Sequence, residues 1–138
     1  MSRWQILAKG AMVPLGRDAL LNQVSVLIVE DEPFIALDLA EAVKEARGKV
    51  IGPAGSAREA LALIDQNLVQ AGILDVNLSD GDITSVVELL IEGGAPVIFY
   101  SGLALPAALR ERYPSAPAYK KPTPPLRLLN ELAALMRK

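Results

Sequence analysis

The sequence predicts an α/β domain built on a parallel sheet with helices on both faces. Short apolar runs rich in β-branched residues alternate with segments of helical periodicity, an order that calls for a sheet between helix layers. Five such strand–helix pairs follow one another from residue 24 onward. Three of the runs are apolar at nearly every position, as strands covered on both faces are.

The first strand is read over Val24–Val29. Ile35, Leu39, Ala42, Val43 and Ala46 then recur at helical spacing, and Gly48 is placed to stop that helix. Val50–Ala54 is a short second strand; Gly52 and Pro53 assign it to a sheet edge. Ser56 and Glu59 form a capping-box pattern ahead of a second helix whose inner face carries Ala57, Leu61, Ile64 and Leu68. Ala71–Leu74 is the third strand and runs into Asp75. A polar turn over 77–82 contains Asp80-Gly81. Ile83, Val87, Leu90 and Ile91 mark a third helix, closed by Gly93-Gly94. Pro96–Tyr100 is the fourth strand, followed by a weak, short helix at about 106–113. Ala116–Lys120 is the fifth strand. Thr123 is read as the cap of a last helix with Pro124 and Pro125 in its first turn and Leu128, Leu132 and Leu135 inside.

The chain has 138 residues, enough for one domain over 24–138 preceded by an extension at 1–23. About half the residues are apolar, so a core forms without disulfides or a structural metal. Histidine and cysteine are both absent; the lack of histidine excludes Ser-His-Asp and Cys-His catalysis, a His-ligated zinc and a phosphate-carrying histidine. The net charge is −2 with both signs scattered, so no basic stripe marks a nucleic-acid surface. No apolar run reaches the roughly 20 residues needed to span a bilayer, and a cytoplasmic protein with no membrane partner is expected. For 1–23 two readings stay open: a disordered or misassigned start, with Met12 as the true one, or a helix packing on the domain or on a second copy through Trp4, Ile6 and Leu7.

The polar residues fall where ligands bind in open α/β sheets, at the carboxyl ends of the strands. The first strand ends in Glu30-Asp31, the third in Asp75, the fourth in Ser101, and the fifth runs into Lys120-Lys121-Pro122. Two carboxylates about 4 Å apart at an effective dielectric of about 20 repel by about 4 kcal/mol. Either one takes a proton or a cation sits among them. With oxygen ligands alone the candidates are Mg²⁺ and Ca²⁺, and few protein ligands with open positions favour Mg²⁺. Asp80-Gly81 lacks the spacing of an EF-hand loop.

In order along the chain, Val26-Leu27-Ile28-Val29-Glu30-Asp31-Glu32-Pro33, then Leu74-Asp75-Val76-Asn77-Leu78 with Asp80-Gly81, then Val97-Ile98-Phe99-Tyr100-Ser101-Gly102, then Lys121-Pro122 resemble the receiver domains of two-component response regulators. The resemblance covers 24–138. It implies a flavodoxin-like (βα)5 doubly wound fold with strand order 2-1-3-4-5. It implies that Asp75 accepts a phosphoryl group and that Mg²⁺ is held by Asp31, by Glu30 through water, by Asp75 and by the backbone carbonyl of Asn77. It implies that Lys121, rather than Lys120, pairs with a phosphoryl oxygen, its Lys-Pro step often being cis, and that Ser101 donates its hydroxyl. Asn77 and Leu103 flank the site and influence water access. Bland readings stand beside these: Asp75 and Ser101 as turn residues, Asp31 as a helix N-cap, Lys121 as a solvated lysine.

The stretch Phe99-Tyr100-Ser101-Gly102-Leu103 also resembles a subgroup with a Phe-x-Thr-Gly-x signature (the "FAT GUY" receivers). That narrower likeness implies a single-domain regulator served by a sensor histidine kinase of the HWE or a related class, or by a phosphotransfer protein. Nothing follows the last helix, so no DNA-binding output domain is expected; the resemblance implies a phosphoacceptor rather than a conventional enzyme, acting through protein–protein contacts, with a homodimer as an open option. One departure stands out. Many receivers carry an aromatic residue three positions before the lysine, where this chain has Ala118; Tyr119 should face the other side of the sheet. Activation is therefore expected to work through the loop after the fourth strand and the fourth helix. Two alternatives are a receiver-like interaction module without phosphorylation and a flavodoxin-like cofactor binder. The second lacks a Gly-rich phosphate loop after the first strand.

Overall fold

The computed structural model describes residues 4–6, 12–14 and 19–137. Its elements are β1 (Trp4–Ile6), β2 (Met12–Pro14), β3 (Ser25–Val29), α1 (Pro33–Glu45), β4 (Lys49–Ala54), α2 (Ala57–Gln66), β5 (Ala71–Leu74), α3 (Thr84–Glu92), β6 (Val97–Ser101), α4 (Ala107–Arg112), β7 (Ala118–Lys120) and α5 (Pro125–Met136). Five strands form one parallel sheet in the order β4-β3-β5-β6-β7, which is the expected 2-1-3-4-5 with β4 at an edge.

The two-residue period of a strand sends neighbouring side chains to opposite faces, and here both faces are apolar. Val26 and Ile28 of β3, Ile73 of β5 and Ile98 and Tyr100 of β6 meet Leu39 and Val43 of α1 and Leu128, Leu129 and Leu132 of α5. Leu27, Val29, Leu74, Val97 and Phe99 face Ala57 and Ala60 of α2, Val86, Val87 and Leu90 of α3 and Leu109 of α4. Burying one such side chain contributes roughly 1.5–3 kcal/mol, and the two layers clamp the strands in register.

Several local expectations change. No α-helix occurs at the described positions of the N-terminal extension: Trp4–Ile6 and Met12–Pro14 pair antiparallel, and Ala19 lies in a 3-10 turn. The other residues before 19 lie outside the described ones. Gly48 does not carry the left-handed turn after α1; Arg47 does, at φ 66°. Gly48 is required by close approach instead, since a Cβ there would lie 2.8 Å from Val43 Cγ1. The N-cap of α1 is Glu32, whose Oε2 accepts the N–H of Ile35 at 2.8 Å, and not Asp31. Half of the box ahead of α2 forms: Ser56 Oγ accepts from Glu59 N at 3.1 Å, while Glu59 Oε2 accepts the N–H of Gly55, one residue before the cap. Leu68 lies beyond the end of α2 and is exposed.

β7 is shorter than expected, starting at Ala118, because Ala116 and Pro117 precede the paired segment. α4 is as short as its weak periodicity suggested, six residues. Thr123 does not cap α5. Its N–H donates to the Tyr100 hydroxyl at 2.9 Å and its own hydroxyl donates to the Lys120 carbonyl, leaving Pro124 at the cap. Among the described residues no helix is long and apolar enough to cross a membrane.

Candidate functional site

Parallel pairing brings the strand ends to one edge. Val29 pairs with Leu74, Leu74 with Phe99, and Ser101 with Lys120. Backbone bonds just past the strands extend that register: Asp75 N–H donates to Val29 O at 2.9 Å, Glu30 N–H to Ala54 O at 2.8 Å, and Lys121 N–H to Ser101 O at 2.8 Å. The residue after each strand thus inherits the alignment of the strand before it.

Among the described residues the buried polar or charged side chains are Glu30, Asp75 and Ser101, and all three sit on this rim. Buried polar groups are costly without partners, so their concentration at one place singles it out. Carboxylate oxygens of Glu30, Asp31 and Asp75 lie within 4.8 Å of one another, with Asp31 facing solvent. The ammonium of Lys121 stands 2.6 Å from Glu30 Oε1 and 3.1 Å from Asp75 Oδ2, and 5.7 Å from the centre of the Tyr100 ring. The contact with Glu30 is one of charge rather than of direction: Oε1 has no hydrogen-bond donor in good geometry.

The remaining oxygens are held by local backbone. Glu30 Oε2 accepts the N–H of Glu32 at 3.0 Å, and Asp75 Oδ1 accepts the N–H of Asn77 at 2.9 Å. The Asn77 side-chain amide donates to Ser101 Oγ, which also accepts the N–H of Leu103 at 3.2 Å. Leu103, expected as a flanking residue, and Asn77, expected as a flanking residue whose carbonyl also serves the metal, thus both bond the candidate hydroxyl. Lys121-Pro122 is cis, as the resemblance implied. Lys120 remains in β7 and is exposed.

Burial pushes the Glu30 carboxyl upward; Lys121 and the Glu32 N–H pull it down, the charge of Asp75 raises it again, and the balance stays above the ordinary value. Burial alone would lower the Lys121 ammonium, but its close contacts with the Glu30 and Asp75 carboxylates outweigh that, so its pKa is raised. Three carboxylates face one ammonium. The surplus of negative charge, the oxygen-only donor set and the undirected Oε1 of Glu30 fit a hard divalent cation such as Mg²⁺.

Ala118 borders a cavity of about 260 Å³ that also touches Phe99, Ser101, Leu103 and Leu105. Tyr119 packs on the opposite face, as expected, with its hydroxyl 3.2 Å from Glu131 of α5. Reading the sequence missed two contacts. The Glu32 cap is a local signal, obscured because Asp31 is the better capping residue type. Asp80 accepts the N–H groups of Ala57 and Arg58, which lie more than twenty residues away and leave no local signal.

No family model matches the chain. Over 74 residues (53% of its length) it is 35% identical to the transcriptional regulatory protein PdtaR of Mycobacterium tuberculosis, covering 36% of that protein. Over 88 residues (61% of its length) it is 36% identical to the phyllosphere-induced regulator PhyR of Methylorubrum extorquens, covering 33% of it. The chain therefore spans about a third of the length of these curated relatives. A response regulator receiver domain protein (CheY-like) of Methanospirillum hungatei superposes with a TM-score of 0.72 at 24% identity, over 84% of this chain and 95% of that one. The fold is thus CheY-like and flavodoxin-like, the structural neighbours are response-regulator receiver domains, and the sequence relatives are regulators.

Proposed function

We propose that this chain accepts a phosphoryl group on Asp75 from the phosphohistidine of a sensor histidine kinase or phosphotransfer protein, with Mg²⁺ at the acidic rim, and signals in the cytoplasm through protein–protein contacts. The observation that carries the reading is the confinement of the buried polar and charged side chains, among the described residues, to Glu30, Asp75 and Ser101 at the rim beside Lys121. A core accepts such groups at a cost in stability, and a phosphoryl site explains all of them together.

Asp75 supplies the nucleophile. One carboxylate oxygen forms the bond to phosphorus as the phosphorus–nitrogen bond breaks, and the electron pair returns to the departing imidazole. Lys121, now shared between Glu30 and Asp75, is within reach to turn toward a phosphoryl oxygen. Ser101 accepts from Asn77 and Leu103, which leaves its own hydroxyl proton to donate. Glu30, Asp31, Asp75 and the carbonyl of Asn77 would hold the metal. When bound, Mg²⁺ offsets charge on the carboxylates and on the transferring group. The stretch Phe99-Tyr100-Ser101-Gly102 supports a kinase of the HWE or a related class as donor.

Phosphotransfer from a panel of purified, labelled histidine kinases tests this reading. Wild type should take up base-labile label in a magnesium-dependent way, and Asp75→Asn should take up none. Label on Asp75→Asn at the wild-type level would refute the acceptor, and magnesium-independent labelling would refute the metal.

A further inference from the structure

Between the candidate acceptor and α3 the chain makes a tight polar turn, and its exposed Asp80 does something the phosphoryl site does not explain. Asp80 Oδ1 accepts the N–H of Ala57 at 3.0 Å, and Oδ2 accepts that of Arg58 at 3.2 Å. These donors open α2, where backbone N–H groups have no partner within the helix. Ser56 already bonds Glu59 N, the donor a cap residue usually takes. Asp80 therefore joins two separate segments instead of duplicating a cap.

The joint closes a circuit of chain around the acidic cluster. The tip of β3 is bonded to the tip of β4 through Glu30 N–H and Ala54 O. Three residues later α2 begins, and Asp80 bonds its first turn. From Asp80 the chain runs back past Leu78, buried and bridged to Gly81, to Asp75, whose N–H returns to Val29 on β3. Glu30 and Asp31 lie on one limb of this circuit, Asp75 and Asn77 on the other.

We propose that Asp80 is a positioning residue for the acidic site. By tying the 75–82 loop to the N-terminus of α2, it holds Asp75 and Asn77 at the spacing from Glu30 and Asp31 that a divalent cation requires. The role rests on the proposed function. Like charges gathered within 4.8 Å push against one another across the two limbs, and the Lys121 ammonium offsets this between Glu30 and Asp75 but not at Asp31. A bidentate tie at the far end of the loop opposes that push without placing another carboxylate at the site. The helix N-terminus favours the ionised form, and the two backbone bonds hold Asp80 below the ordinary carboxylate range.

The test compares Asp80→Ala, Asp80→Asn and Ser56→Ala in the full chain, by calorimetric Mg²⁺ titration well below the melting midpoint of each. Asp80→Ala should weaken Mg²⁺ binding roughly tenfold, the lower end of what loss of an outer support does to a metal site. Asp80→Asn, which keeps one acceptor oxygen, should recover part of the loss. Ser56→Ala should lower the thermal midpoint while leaving Mg²⁺ affinity unchanged. Wild-type affinity in Asp80→Ala, or equal losses in Asp80→Ala and Ser56→Ala, overturns the positioning role alone. No Mg²⁺ uptake by wild type overturns the function beneath it, a distinct result.

Discussion

Around the tips of β3 and β5 the rim is closed: Leu27, Ile28, Val29, Ile73 and Leu74 are fully buried or nearly so, and the loop after β5 is anchored by Val76, Leu78 and Ile83. Around the tips of β6 and β7 it is open. β7 is three residues long, Leu103 is 68% exposed, and α4 is one short helix whose buried residue is Leu109. An exposed ion pair, Arg112–Glu88, joins α4 to α3, and such pairs contribute only about 0–1 kcal/mol. Cavities of about 260 and 440 Å³ share Leu105 and Ala118. Stability is unevenly distributed in folded proteins, and segments that move come from its weakly packed end. The half that would hold the metal and the acceptor Asp75 is fixed in place; the half that carries Ser101 and Lys121, and that would report the event, has room to move.

The strongest challenge to this contrast is a pair of truncations. Leu74→Ala, in the closed half, should cost about 2–5 kcal/mol. Leu105→Ala, in the open half, where the side chain is only partly buried against the core, should cost about 1 kcal/mol. Urea denaturation compares them, and equal losses would erase the difference between the halves. A subtler probe is beryllofluoride, a phosphoryl mimic. Amide shifts on its binding should extend through residues 101–115, whereas strands β3 and β5 should change only near the site. Silence across 101–115 would leave the open half without the reporting role its loose packing suggests.

The smallest effect concerns acid. The Asp80 carboxyl is held low by the Ala57 and Arg58 N–H groups. A depressed folded pKa stabilises above the unfolded value and loses that contribution as pH falls through the folded one. The gap in melting temperature between wild type and Asp80→Ala should therefore be constant from neutral pH down to about pH 4, the ordinary range of an aspartate, and should close below it. Thermal melts at successive pH values follow it, and a gap that persists in strong acid would show that the tie does not depend on the ionised carboxylate.

Both the alternation of elements and the rim residues were legible because each depends on neighbours along the chain. β3, β5 and β6 are apolar at nearly every position, and Glu30, Asp75 and Ser101 declare themselves as the polar residues that close those runs. What was misread involves partners from elsewhere. Thr123 has the local look of a cap, yet its N–H goes to Tyr100 on β6. Leu68 fits a helical face but falls beyond the end of α2. Gly48 looks like a helix terminator, while Arg47 takes the left-handed turn and Gly48 makes room for Val43.

By itself the sequence determined the α/β class, the edge position of β4 and the identity of the groups at the strand ends, because periodicity and strand termination are properties of consecutive residues. Only the tertiary structure decided that one ammonium, Lys121, is shared by Glu30 and Asp75, and that Asp80 fastens the acidic loop to α2. Those pairings join residues 22 to 91 positions apart. Distances across a packed sheet are set by register and burial together, and no stretch of neighbouring residues encodes them.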